Sequence, residues 1–216
     1  MSGLLVCIGG VLIILIAVEI IWRYKLLKGE LQRKFAHITG GIFVAFWPWL
    51  VSWRTIQLLG LAMLVGASLN RYRKFSHFAD GVHRESYGEI FSALAITLCA
   101  VLTNEPIIFA IAILHLALAD GLAAVIGNKF GRKWRYEVFG QEKTIIGTMT
   151  FWIVSVIILG IGLLYAAQFI DYETYSILLI VLPPLLAALE NLAVYGSDNI
   201  VVPVATIVAL QGIQSF

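Results

Sequence analysis

The chain has 216 residues, of which 60% are hydrophobic and 13% charged, with a formal net charge of +2 and a mean hydropathy of +0.91. Soluble domains carry about a quarter charged residues, so these values exclude that class and leave an integral membrane protein. The small basic excess does not point to nucleic acid, because orientation in a membrane accounts for where the basic residues lie.

A helical span needs roughly 20 apolar residues, with about 17 as a practical minimum. On that measure the sequence predicts an all-α, polytopic membrane helix bundle of seven or eight spans. Their positions are 3–22, 38–53, 55–70, 88–103, 106–127, 145–169, 174–194 and 200–215. No room is left for a soluble domain, so residues 1–216 are expected to form one transmembrane catalytic domain. The first apolar stretch, Leu4 to Ile21, has no basic residue before it and several after it. That is the reverse of a secretory signal, so it is expected to remain as a span with its N-terminus outside.

Fourteen of the fifteen Lys and Arg residues fall in three loops, Arg23 to Lys34, Arg71 to Arg84 and Lys129 to Lys143, and only Arg54 lies elsewhere. Basic residues that flank spans are kept on the cytoplasmic side. Eight alternating spans place all three loops there, together with Tyr195 to Asn199. The turns near Ser52 to Thr55, Thr103 to Pro106 and Ile170 to Thr174 then face the opposite side. Cys7 and Cys99 sit in apolar runs without metal-type spacing and read as packing residues.

Polar residues inside or beside spans are the functional candidates, since an ionisable group in a membrane is costly unless paired or hydrated. Before the second span runs Glu30-Leu31-Gln32-Arg33-Lys34-Phe35-Ala36-His37. On a helix, Arg33 and Lys34 share a face with His37. Such a segment serves equally as an orientation signal or headgroup contact, but His37 at the start of an apolar span favours phosphate binding. The run Arg33 to His37 is echoed by Arg73-Lys74-Phe75-Ser76-His77, and nothing is built on that echo. Glu85 and Glu89, one turn apart, form either a carboxylate pair or a solvated helix end. His115, in the middle of the fifth span, is expected to be buried and hydrogen-bonded.

Asp120 is the clearest candidate. It lies about seven residues, or roughly 10 Å, from the end of its span, among the small residues Ala117, Gly121, Ala124 and Gly127. A helix-packing face with a hydrogen-bonded carboxylate fits this pattern, and so does a carboxylate at a cavity mouth that binds a divalent cation. The residues after Asp120 favour the second reading. Gly127-Asn128-Lys129-Phe130-Gly131-Arg132-Lys133 reads as a glycine-punctuated basic loop, Lys143-Thr144 as the opening of the next helix, and Gly147 lies one turn in. Free backbone N–H groups, a helix N-terminus and a lysine together suit a nucleoside triphosphate with Mg²⁺, although the pattern is not a Walker motif. Near the end, Glu190-Asn191 and Gly196-Ser197-Asp198-Asn199 precede a span bearing Pro203. Asp198 fits a plain helix cap, yet these carboxylates and amides are expected to face the same compartment as Asp120.

Four segments resemble the dolichol kinase and phytol kinase family, polytopic membrane enzymes related to phosphatidate cytidylyltransferases. They are Glu30 to His37, Ala119 to Gly131, Glu142 to Thr148, and Leu189 to Asn191 with Asp198 to Pro203. They occur in family order and span nearly the whole chain. The resemblance implies a CTP-dependent kinase that phosphorylates the hydroxyl of a membrane-embedded lipid alcohol of the polyprenol, dolichol or phytol type. CTP would arrive from the cytoplasm and Mg²⁺ would be the cofactor.

Carried over by position, Asp120, Lys143, Asp198 and His37 would be catalytic, and Asp120, Glu190 and Asp198 would hold the metal. Arg33, Lys34, Gly127, Lys129, Gly131, Thr144, Gly147 and Asn199 would bind the nucleotide. Where cytidylyltransferases have Ser-Pro-x-Lys-Thr, this chain has Gly140-Gln141-Glu142-Lys143-Thr144, which favours the kinase. The alternatives are a cytidylyltransferase, using the same triphosphate site but attacking the α-phosphorus, and an anion or lipid-phosphate transporter. A transporter is expected to place polar groups near mid-membrane, whereas here they crowd one end. The particular lipid and the oligomeric state stay open at this level.

Overall fold

The computed structural model describes residues 2–73, 87–165 and 171–214. Among them run eight helices: α1 (Ser2–Arg23), α2 (Glu30–Ala45), α3 (Trp53–Arg73), α4 (Gly88–Leu102), α5 (Pro106–Phe130), α6 (Ile145–Tyr165), α7 (Tyr172–Leu192) and α8 (Asp198–Gln214). A 3₁₀ turn, Trp47–Trp49, links α2 to α3. Four of the helices, α1, α5, α6 and α7, are long and apolar enough to cross a membrane, and α4 and the stretch Asp198–Gly212 of α8 are shorter apolar helices.

α5 is the centre of the bundle. Within its most apolar stretch, 72% of residues are buried, against 11% in α1. It packs against α2, α4, α6 and α8, while α1 lies on α2 and α3 on α4. The core takes Phe109, Ile111 and Ile113 from α5, Phe151 and Leu159 from α6, Leu186 from α7 and Ile207 from α8. Outward, α1 presents Leu5 and Ile13, α6 presents Leu164 and α7 presents Ile180, all exposed. A rim of this kind fits a lipid-facing surface. Cys7 and Cys99 are buried free thiols, as expected of packing residues.

Contacts at both ends show α4 and α8 running in the same direction, as an alternating bundle requires. At one end the Tyr87 N–H donates to Tyr195 O, and at the other Gln211 Nε2 donates to Leu102 O. The end at which α5 stops carries all the described Lys and Arg residues except Arg54.

Three expectations are corrected. The helix expected at 38–53 starts at Glu30 and stops at Ala45, so His37 lies inside it. α5 continues through Phe130, so Gly127 and Lys129 are helical and do not belong to a loop. Lys143 and Thr144 do not open a helix either. They end a strand of a hairpin, β1 (Arg135–Val138) with β2 (Gln141–Thr144), and α6 starts at Ile145. Among the described residues the regular structure is therefore helical except for this pair, which is joined by the two-residue turn Phe139-Gly140. Both turn residues have positive φ, +47° and +76°, as such tight hairpins require. Lys74 and His77 of the echoed run, Glu85 of the expected carboxylate pair and Arg84 of the second basic loop lie outside the described residues.

Candidate active site

The site is built from both sides of α5. On the α2 side two glycines bring the backbones together. A Cβ on Gly41 would lie 2.4 Å from Ala117 Cβ, and one on Gly121 would lie 2.4 Å from Ile38 Cγ1. This close approach sets Lys34 over Asp120, with Nζ 2.6 Å from Oδ2 and both residues buried. Arg33, one residue earlier, is gripped by Glu30 through two hydrogen bonds of 3.0 and 2.5 Å.

Asp120 comes directly after a π-turn, His115–Ala119. Such wide turns recur at functional sites because they rotate the later part of a helix relative to the earlier part. Here the Asp120 N–H reaches the carbonyls of His115 and Ala117, straddling Leu116. The Leu116 carbonyl instead accepts from His37 Nε2 at 2.8 Å, and the same nitrogen lies 3.4 Å from Asp120 Oδ2. His37 therefore sits behind Asp120 and does not line the cavity. His115 is fully buried, with Nδ1 2.8 Å from Ile111 O, as its place in the middle of an apolar run predicts.

On the other side of α5, Thr144 caps α6: its Oγ1 accepts from the Gly147 N–H at 3.0 Å, which satisfies an otherwise unpaired donor of the first turn. Gly127 and Gly147 form the crossing of α5 and α6. A Cβ on Gly127 would stand 2.6 Å from Thr144 Oγ1 and 3.1 Å from Gly147 Cα. Gly131 bonds its N–H to Gly127 O at 2.7 Å, ending α5. These glycines thus serve close packing and chain reversal, with the N–H groups of Gly131 and Gly147 already engaged. Lys129 is exposed outside the cavity, its Nζ 5.1 Å from the centroid of the Phe130 ring.

The hairpin carries Lys143 over the end of α7, where Nζ donates to Glu190 Oε1 at 2.5 Å and to Glu190 O at 3.0 Å. Asp198 and Asn199 open α8 after the turn at Gly196. Asn199 uses both ends of its amide: Nδ2 donates to Gly196 O at 3.0 Å, and Oδ1 accepts from Ser92 Oγ on α4 at 3.2 Å. Asp198 accepts the Asn199 N–H at 3.1 Å and has no ion pair with a Lys or Arg among the described residues.

All this closes on a cavity of about 110 Å³, lined among others by Arg33, Lys34, Asp120, Lys143, Glu190 and Asp198. One water needs only roughly 10–15 Å³ on the same measure. Ligand oxygens of Asp120, Glu190 and Asp198 lie within 4.8 Å of one another, and all three residues are buried. Three carboxylates face two ammonium groups, so the cluster keeps a net negative charge and offers hard oxygen donors, a donor set that fits Mg²⁺. Gly127, Thr144, Gly147 and Asn199 also border this space, whereas His37, Lys129, Gly131 and Glu89 do not. Sequence reasoning did not single out Glu142 or Thr148, which line the cavity, or Tyr136 on β1. The signal available for the hairpin was the Phe139-Gly140 turn between two four-residue polar runs.

Among known proteins, the chain is 31% identical over 201 residues to phytol kinase of Synechocystis sp., a match covering 89% of this chain and 83% of that enzyme. It is 26% identical over 157 residues to dolichol kinase of Saccharomyces cerevisiae, covering 72% of this chain and 28% of the yeast protein. No protein-family model matches the chain, and no solved structure does.

Proposed function

The chain belongs to the family of phytol kinase and dolichol kinase, and from that premise we propose that it transfers the γ-phosphate of CTP to an isoprenoid-type lipid alcohol, with Mg²⁺. It is a transferase that phosphorylates a lipid alcohol. The observation that carries the proposal is the convergence of Asp120, Glu190 and Asp198 with Lys34 and Lys143 in one cavity at the basic end of the bundle.

Phosphoryl transfer asks for positioning and charge neutralisation more than for a protein nucleophile. Lys34 brings a buried ammonium group to the cavity and Lys143 a half-buried one, and Arg33, held by Glu30, adds a guanidinium at its edge. Asp120, Glu190 and Asp198 would hold Mg²⁺, which when bound supplies further neutralisation of the phosphate oxygens. The lipid hydroxyl oxygen forms a bond to the γ-phosphorus, the bond from that phosphorus to the bridging oxygen breaks, and CDP leaves. The hydroxyl proton passes to the carboxylate cluster, of which Asp198 is the member without a lysine partner among the described residues.

The placement of basic residues supports an orientation with the cavity on the cytoplasmic side. There a water-soluble nucleotide reaches it directly, while the alcohol's tail lies among the helices. The lipid-facing side chains and the alternating helices support a multi-pass protein in which α2, α3, α4 and α8 also lie in the membrane.

The test supplies purified protein with CTP labelled at the α- or γ-phosphate, Mg²⁺, and phytol, dolichol and phosphatidic acid in turn. Label from the γ-position in an organic-soluble monophosphate is the expected result. Label from the α-position would instead establish a CDP-lipid synthase.

A further inference from the structure

Tyr136 belongs to no motif in the sequence, yet it holds together the elements that carry Lys143 and Glu190. The hairpin register pairs Tyr136 on β1 with Lys143 on β2. Across from this pair stand two consecutive residues of α7: Lys143 reaches Glu190, and the Tyr136 hydroxyl donates to Asn191 Oδ1 at 2.5 Å. Thr148 on α6 closes a triangle, its Oγ1 2.5 Å from the Tyr136 oxygen and 3.2 Å from Asn191 Oδ1. The Asn191 amide is turned the right way by Nδ2 donating to Ala187 O at 2.9 Å.

We propose that Tyr136 is a positioning residue for the reaction, its hydroxyl fixing the hairpin on α6 and α7 so that Lys143 meets Glu190 at the cavity. Two observations carry this. Short two-stranded ribbons are marginal by themselves, and β1 and β2 form a two-stranded sheet with no further strand among the described residues, so side chains must fix its place. Lysine has a flexible four-carbon stem, so where its ammonium sits depends on where the strand sits. The Tyr136 hydroxyl contacts the α7 residue next to the one that Lys143 contacts, and this couples the two. Tyr136 has no place in the cavity lining, so it acts through its neighbours there, and of these Lys143, its partner in the hairpin register, carries the charge.

The inference rests on the nucleotide-binding role proposed for the cavity. The experiment measures binding of CTP with Mg²⁺, KM for CTP and for the lipid alcohol, and thermal midpoint, in wild type, Tyr136→Phe, Lys143→Met and the double variant. Tyr136→Phe is expected to weaken CTP binding about tenfold, the scale of one lost buried hydrogen bond. It should leave the lipid KM near wild type and lower the thermal midpoint by only about 2–4 °C. In the Lys143→Met background the same change is expected to alter CTP binding less than about twofold, because the residue it acts through is gone. If Tyr136→Phe does not fold, Asn191→Ala tests the same triangle from outside the cavity lining. Wild-type CTP affinity in a folded Tyr136→Phe, or an equal loss with and without Lys143, overturns the inference and leaves the cavity's role intact. Failure of the wild type to bind CTP would overturn both.

Discussion

At one end of the bundle α6 is entered through a β-hairpin and α8 through the left-handed pair Tyr195-Gly196, while at the other end α4 reaches α5 through only Thr103 to Glu105 and α2 reaches α3 through Trp47–Trp49. The plain end caps its turns with local contacts and adds the neutral bond from Gln211 to Leu102 O. Ser52 Oγ accepts from the Thr55 N–H, and Asp171 accepts from the N–H and hydroxyl of Thr174. The elaborate end depends on distant partners, Lys34 with Asp120 and Lys143 with Glu190. The difference has a physical cause. A turn that only reverses the chain needs caps, whereas the buried carboxylates here take their counter-charges from other elements of the fold.

Substitutions at the two ends therefore differ in reach. Asp120→Asn should have the largest effect, abolishing γ-phosphate transfer by on the order of 10³-fold or more while the protein still inserts. Measurable turnover near wild type would remove Asp120 from the chemistry. Lys143→Met, which removes one ammonium from the cavity, is expected to cost about 10²-fold in kcat/KM for the nucleotide. Gly127→Ala pushes a methyl group into Thr144 and Gly147, and overpacking of this kind costs about 1–3 kcal/mol. A thermal midpoint unchanged by it would show that α5 and α6 can part without loss. Lys129→Gln should change CTP affinity less than about twofold, since exposed charges contribute little, and a larger loss would bring Lys129 into the site. At the plain end, Asp171→Ala should lower the thermal midpoint slightly and leave kinetics untouched, and any loss of activity there would show that the ends are coupled.

Much of this was legible in the sequence for one reason: apolar runs broken by basic clusters mark helices and ends directly. Asp120, Glu190 and Asp198 stood out because carboxylates in such surroundings are rare, and the structure brings them together. The features that the sequence concealed depend on physics that leaves no local trace. The strands β1 and β2 are only four residues each: Arg-Tyr-Glu-Val alternates for too short a run to announce a strand, Gln-Glu-Lys-Thr has no apolar residue, and Lys143-Thr144 looks like a helix start. His-Leu-Ala-Leu-Ala has nothing to distinguish a π-turn from α-helix, so the spare Leu116 carbonyl and the tie it gives His37 were out of sight. Gly127, Gly131 and Gly147 were noticed as glycines, but a glycine that admits a neighbouring helix and one that admits a phosphate read the same.

The pairing of Lys34 with Asp120 bears on how the protein is made. Lys34 precedes Asp120 by 86 residues, and Lys143 precedes Glu190 by 47. In both pairs the cation is synthesised first, so each acid that enters the bilayer finds its partner already waiting. Asp198 arrives last, with the helix that completes the cluster. Nascent chains stopped after α5 should already hold Lys34 against Asp120, which crosslinking between cysteines substituted at the neighbouring Ile38 and Gly121 would detect with the ion pair intact, and only a chain released beyond α8 should assemble the site.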